Sequence, residues 1–328
     1  MHNTQLVMQM NQNLLQDLLF IVNVVLPVFL LVFIGIGLKL IRIVNEEFVK
    51  ITSNFVYKVS LPALVFLKLY DVDLERTINV DMMLVIVFGT IAVYYIAKII
   101  AKKMLLKPED EGVYIQGAFR SNYAIVGLAI ILRMFGLEAV AKASFLLLFA
   151  LPIYNLYGII ALTLPHNQNA KVDNKYIAKE IILNPLILSV IAAIPFSAFK
   201  IGIPDSLETT GGYLADIALP LALISIGGSM NLQSIKKASG LAFGSASIKN
   251  IVAPVVATFA AYFLGIRGED IGIIFIVFAC PTAIVSFIMA AGLKGNVKLA
   301  GNIVVISTLA SLLTMTLGLF ILRLLQLI

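Results

Sequence analysis

Two stretches decide the fold: Arg120-Ser121-Asn122-Tyr123-Ala124-Ile125-Val126-Gly127 and Cys280-Pro281-Thr282-Ala283-Ile284-Val285-Ser286. Each sets polar or helix-breaking residues in the middle of a long apolar run. Proline lacks the backbone donor and clashes with the preceding turn, so Pro281 is expected to open or kink its helix. Ser121 and Asn122 carry side chains that bond to nearby backbone in place of helix hydrogen bonds. The tripeptide Ala124-Ile125-Val126 returns as Ala283-Ile284-Val285, at an offset of 159 in the numbering. Irregular backbone at membrane depth survives only when buried in protein or lining a watery cavity, so a matched pair of interruptions points to a shared site.

The surrounding composition requires a membrane. The 328 residues are 60% hydrophobic and 13% charged, with mean hydropathy +1.01. Soluble domains carry roughly 45–50% apolar and about 25% charged residues, which excludes an ordinary soluble enzyme. The single cysteine, Cys280, excludes an intramolecular disulfide framework, and two histidines leave little for a metal site. No cofactor and no metal is expected. The net charge of +6 does not point to nucleic acid, because the Lys and Arg lie mainly at the ends of apolar stretches, where they set topology.

A bilayer core needs about 20 apolar residues per helix. Ten segments meet that length: Leu18–Leu40, Ile51–Leu69, Met82–Ile100, Val113–Phe135 and Ala143–Leu164, then Ile181–Phe199, Leu214–Met230, Leu241–Leu264, Ile271–Leu293 and Ala300–Leu322. They are continuous rather than alternating, which excludes barrel strands. The head, 1–17, is polar, rich in Gln and Asn and without Lys or Arg, and reads as a loose tail rather than a cleaved signal peptide. Fourteen cations fall at the ends of odd-numbered spans and in the links after them, and seven on the opposite side. That bias places both termini outside. The remaining three, Lys58, Arg120 and Lys249, fall within spans.

Prolines extend the repeat. Pro27 and Pro185 stand at an offset of 158, as do Pro62 and Pro220. The expected organisation is a polar tail over 1–17, a first five-helix repeat over 18–164, a cytoplasmic link over 165–180 and a second repeat over 181–328. Five is odd, so the second copy enters the membrane inverted, the arrangement of carriers that alternate access to a midplane site. The expected fold is all-α, with ten transmembrane helices of which helices 4 and 9 carry the matched interruptions.

The candidate substrate-binding residues are Arg120, Ser121, Asn122, Tyr123, Pro281, Thr282 and Ser286. Asn122 and Thr282 are expected to face each other, flanked by Tyr123 and Ser286. If both helices break, their second halves present N-terminal amides to an anion. A charge at helix centre costs about 2.5–3.5 kcal/mol, so Arg120 either serves the site or snorkels from a later helix start. Lys58 and Asp216 share the proline offset, each four positions before its proline, and form a coupling or charge pair: a permanent bridge or a protonatable switch. Pro62 and Pro220 join Pro281 as expected helix breaks. Lys249-Asn250 reads as facing a neighbouring helix. Ile226-Gly227-Gly228-Ser229 has no strand before it, which discounts a nucleotide loop, and Gly35-Ile36-Gly37 reads as a helix-packing contact. His166 is too isolated for metal, and Cys280 reads as a buried thiol.

These motifs resemble the auxin efflux carrier family over essentially the whole chain. Leu26-Pro27-Val28-Phe29-Leu30 through Gly35 is similar to its opening helix, Ser60-Leu61-Pro62-Ala63-Leu64 to its second, and Ile217-Ala218-Leu219-Pro220-Leu221-Ala222-Leu223 to the matching helix of the second half. The stretch Ser121–Gly127 resembles the first crossover, keeping Asn122 and Gly127, and Ala279–Val285 the second, keeping Pro281. Ser121 and Ala129 stand where the family often has proline. The resemblance implies a five-plus-five inverted repeat with crossed, broken helices 4 and 9, and a secondary transporter of small organic anions such as malate, malonate or auxin-like acids. It also implies elevator-like motion of a transport domain against a scaffold, in the plasma membrane. The partners are a small carboxylate and membrane lipids. A coupling proton or Na⁺ and a homodimer stay open. The alternatives are a sodium- or proton-coupled symporter of bile-acid-like type, a channel or a membrane sensor; an enzyme has no catalytic constellation behind it.

Overall fold

The computed structural model describes residues 2–73, 77–166, 174–231 and 238–328, and their regular structure is helical throughout. The chain runs α1 (His2–Leu40), α2 (Glu46–Phe55), a π segment π1 (Val56–Ser60), α3 (Leu61–Leu69), α4 (Val80–Lys103) and α5 (Pro108–Phe119). A second π segment, π2 (Tyr123–Gly127), leads into α6 (Leu128–Phe135), followed by α7 (Leu137–Phe145), α8 (Leu147–Thr163) and α9 (Asn174–Ile182). Then come α10 (Pro185–Phe199), α11 (Asp205–Asp216), α12 (Ala218–Ser229), α13 (Gly240–Ser247), π3 (Ile248–Val252) and α14 (Ala253–Phe263). The last elements are α15 (Glu269–Ala279), α16 (Val285–Gly292) and α17 (Val297–Leu324).

Among the described residues five helices are long and apolar enough to cross a membrane: Leu14–Leu40, Val80–Lys103, Asp205–Ser229, Gly240–Phe263 and Val297–Leu324. The bent pair α7–α8, with 42° between its parts, makes a sixth if it is one span. Asparagines start several of the helices. Asn45, Asn79, Asn184 and Asn296 each accept from a backbone amide of the first turn, as N-caps do.

Three readings of the sequence need correction. The polar head is not a loose tail in its backbone, which is helical from His2 and runs on into the first apolar stretch. The head contains neither glycine nor proline to stop a helix. Pro62 and Pro220 do not break their helices. At Pro62 the helix widens into π1, and the Leu61 amide bonds back to the Val56 carbonyl, which accommodates the proline ring within a continuous helix. At Pro220 the chain stays right-handed through Ile217 (φ −79°, ψ −13°). Pro254 is likewise preceded by a π segment, π3. Arg76, Lys171, Lys236 and Lys237, four of the cations counted for orientation, lie outside the described residues, as does 167–173 of the link.

The helices pack as two groups. The first is α1, α2–α3, α10 and α11–α12. Here α1 lies against α12 so closely that a Cβ on Gly227 would sit 1.9 Å from the Val32 carbonyl oxygen, and one on Gly35 2.2 Å from that of Ile224. Only glycine permits that approach. Gly227 thus belongs to a helix contact, as expected once a nucleotide loop was discounted; Gly37, in contrast, faces open space. In the same group α3 packs on α10, with Phe66 edge-on to Phe196 at 5.3 Å. The second group is α4, α5–α6, α7–α8, α13–α14, α15–α16 and α17. It contains both interrupted helices, and α1 and α3 join the groups through α17 and α7.

Candidate functional site

Helix α5 ends at Phe119, and Arg120 is extended (φ −76°, ψ 113°). The break forms here without a proline, because the backbone it frees is bonded elsewhere. Helix α15 ends at Ala279, and Cys280 is likewise extended (φ −54°, ψ 148°) ahead of Pro281. The two breaks meet. Ser121 and Thr282 form an antiparallel bridge, the Asn122 amide donates to the Pro281 carbonyl at 2.9 Å, and the Ala283 amide to the Arg120 carbonyl at 3.2 Å. The residue opposite Thr282 is therefore Ser121, one position from the expected Asn122, because the ladder between extended segments sets the register rather than the side chains.

Side chains then lock the crossing reciprocally. The Ser121 hydroxyl donates to the Val277 carbonyl at 2.5 Å, and the Thr282 hydroxyl to the Gly117 carbonyl at 2.6 Å. Each hydroxyl thus caps the carbonyl end of the other broken helix, satisfying acceptors that a helix terminus leaves orphaned. The Thr282 amide donates to the Ser307 hydroxyl of α17 at 3.0 Å. Gly117 is needed here, since a Cβ would come within 2.8 Å of Ile303 and Ser245 side-chain atoms.

Arg120 does not snorkel. It is 5% exposed, and its Nη1 donates to the Tyr154 carbonyl at 3.0 Å and to the Met289 sulfur at 3.1 Å, while Nη2 donates to Asn155 Oδ1 at 2.8 Å. Helix α8, with Pro152 inside it, thus holds the guanidinium. Gly158 of α8 makes the room: a Cβ there would lie 2.9 Å from Gln116 Nε2 and 3.1 Å from Arg120 Nη1. Tyr123 starts π2 and Ser286 is the second residue of α16, and the Tyr123 hydroxyl and Ser286 hydroxyl are buried without a hydrogen-bond partner.

The second constellation does not assemble. Helix α11 packs beside π1, yet Lys58 and Asp216 are both exposed and no ion pair joins them. Lys58 instead lines a cleft with Lys179 and Asn184, so of the two alternatives for this pair the permanent bridge is absent. Other pairs hold the helix ends: Lys142 sits 3.0 Å from Glu269 and 2.9 Å from Asp270, and Asn296 donates to Asp110 at 2.7 Å. Among the described residues there is no cluster of metal-ligating side chains, and His166 stands exposed.

Reading the sequence missed Gln116, Asn155, Met289 and Ser307. The signal for Asn155 was present, a polar amide inside an apolar span, as at Asn122. Met289 and Ser307 gave no signal, because nothing local distinguishes them from packing residues.

The profile of the family described as "Membrane transport protein" matches residues 20–319. An uncharacterized transporter of Methanocaldococcus jannaschii is 28% identical over 308 residues, covering 90% of this chain and 96% of the relative. An uncharacterized transporter of Methanothermobacter thermautotrophicus is 24% identical over 296 residues, covering 89% and 95%. With helices built to cross a bilayer and a profile match over most of its length, the chain belongs to the membrane transport protein family, the auxin efflux carriers, and is an integral membrane transporter rather than an enzyme.

Proposed function

We propose that the protein is a secondary carrier of small organic anions, built from ten spans as two inverted five-helix repeats. Helix boundaries support the repeat. The starts of α2 and α11, Glu46 and Asp205, keep nearly the offset of the prolines, and so do Val80 with Gly240 and Pro108 with Glu269. Packing supports inversion, because α1 lies on α12 while α10 lies on α3, the exchange a twofold axis produces. The grouping into α1–α3 with α10–α12 against the remainder supports a scaffold and a moving domain, with both crossing helices in the mover. The cation bias supports termini outside.

The observation that carries the reading is the crossing itself. Two helices open at one level, bind each other's carbonyl ends, and begin again at Tyr123 and Val285, with Arg120 buried beside them. Freed amides at helix starts and a guanidinium suit a carboxylate. The unpartnered hydroxyls of Tyr123 and Ser286 are further groups for it. Asn122, Thr282 and Pro281 shape the cradle. The test is thermal unfolding of purified protein titrated with malate, malonate and indole-3-acetate. A ligand at one hundred times its Kd stabilises the folded state by about 2.7 kcal/mol. At least one acid raises the Tm saturably, and Asn122→Ala and Ser286→Ala weaken the response. No response to any of them refutes the proposal.

A further inference from the structure

Lys249 is a buried cation at the crossing that carriage of a carboxylate leaves unused. It stands in π3, is 0% exposed, and its Nζ donates to the Phe278 carbonyl. That carbonyl belongs to the last turn of α15, where the break at Cys280–Pro281 removes the helical donors. Its neighbours are already served: Ile276 by the Cys280 amide at 3.0 Å, and Val277 by Ser121. The end of a half-helix carries partial negative charge, and unwound carbonyls at such an end are where carriers coordinate coupling cations. Here an ammonium on a side chain occupies the place. The adjoining Asn250 fixes the turn, donating to the Ser307 carbonyl at 2.7 Å, while the Ser307 hydroxyl accepts from the Thr282 amide.

The lysine is not demanded by the architecture. When the starts of α4 and α13 are aligned, Val80 on Gly240, the first-half position equivalent to Lys249 is Gly89. It lies within α4, which is a regular helix from Val80 to Lys103 without a π segment. The same turn of the repeat is thus built without a cation or a bulge. In this pair of equivalent helices the π insertion and the lysine occur together in the second copy alone.

We propose that Lys249 is a tethered cation that substitutes for a coupling ion at the carbonyl end of the broken helix, so that this carrier needs no Na⁺ at its crossing. The inference rests on the crossing being the carrier's centre. Its readout is an ion effect on unfolding, which does not require that a carboxylate bind; failure of the carboxylate reading shows instead in the acid titrations above.

The experiment measures Tm of purified full-length protein in NaCl against choline chloride at equal ionic strength. Wild type unfolds at the same temperature in both. Lys249→Ser vacates the ammonium and leaves the Phe278 carbonyl and the new hydroxyl facing the space, lowering Tm in choline by about 4–6 °C, with saturable recovery in NaCl. Lys249→Met fills the space without charge and is lowered in both salts. Saturable stabilisation of the wild type by Na⁺ overturns the proposal. So does a Lys249→Ser protein no more stable in sodium than in choline, including one that cannot be purified in either. A Lys249→Met protein that recovers in sodium as the serine variant does also overturns it, since the ion then binds elsewhere.

Discussion

Replacing Thr282 by valine removes one hydroxyl and almost no volume. In the structure that hydroxyl donates at 2.6 Å to the Gly117 carbonyl, an acceptor at the end of α5 whose helical partner is lost to the break. Thr282 is buried, so no water replaces the donor, and the loss leaves a desolvated carbonyl rather than a rehydrated one. An orphaned buried acceptor costs about 1–3 kcal/mol. For a chain of this size about 2 °C of Tm corresponds to each kcal/mol, so the expected drop is about 2–6 °C. Ser121→Ala removes the reciprocal bond to Val277 and lowers Tm by a similar amount. Because both bonds brace one crossing, the double variant is non-additive, with an interaction of about 0.5 kcal/mol or more. The assay is thermal unfolding in detergent, followed by helical circular dichroism. A Thr282→Val protein as stable as wild type refutes the idea that side-chain hydroxyls add to the backbone pairing in holding the crossing. Strict additivity refutes their coupling.

Gly158→Ala places a methyl 3.1 Å from Arg120 Nη1 and 2.9 Å from Gln116 Nε2, so the guanidinium moves and the Tm response to carboxylates falls while the helix content is kept. An unchanged response separates Arg120 from the site. Gly227→Ala would put its Cβ 1.9 Å from a backbone oxygen of α1, forcing α1 from α12. Its cost exceeds the roughly 1–3 kcal/mol of ordinary overpacking, read as loss of a monodisperse species on size exclusion. Asp216→Asn leaves proteoliposome uptake as in wild type with and without a pH gradient, because the carboxylate is exposed and not paired with Lys58; a gradient response present in wild type and lost in the variant makes Asp216 the coupling group.

Membrane residence and the places where helices fail were legible in the chain because both are local. Apolar runs of bilayer length need only hydropathy, and a proline such as Pro281 acts on its own turn. Equal spacing of Pro62 with Pro220, and of the two Ala-Ile-Val stretches, is likewise a property of the chain alone, and it is what the proposed repeat rests on. Tertiary structure decided what those irregularities become. Pro62 and Pro281 are the same residue with the same missing donor, yet one helix widens into a π segment and the other opens. The difference lies in a partner: at Pro281 a second extended segment, from the opposite half of the chain, supplies the bonds that make an open backbone tolerable in lipid. The same dependence on distant partners hid the role of charge. Lys58 and Asp216 matched in sequence but not in space. Arg120 and Lys249 gained meaning only when Asn155 and the Phe278 carbonyl arrived from other helices, because an ion's worth in a bilayer is set by what surrounds it rather than by what flanks it in the chain.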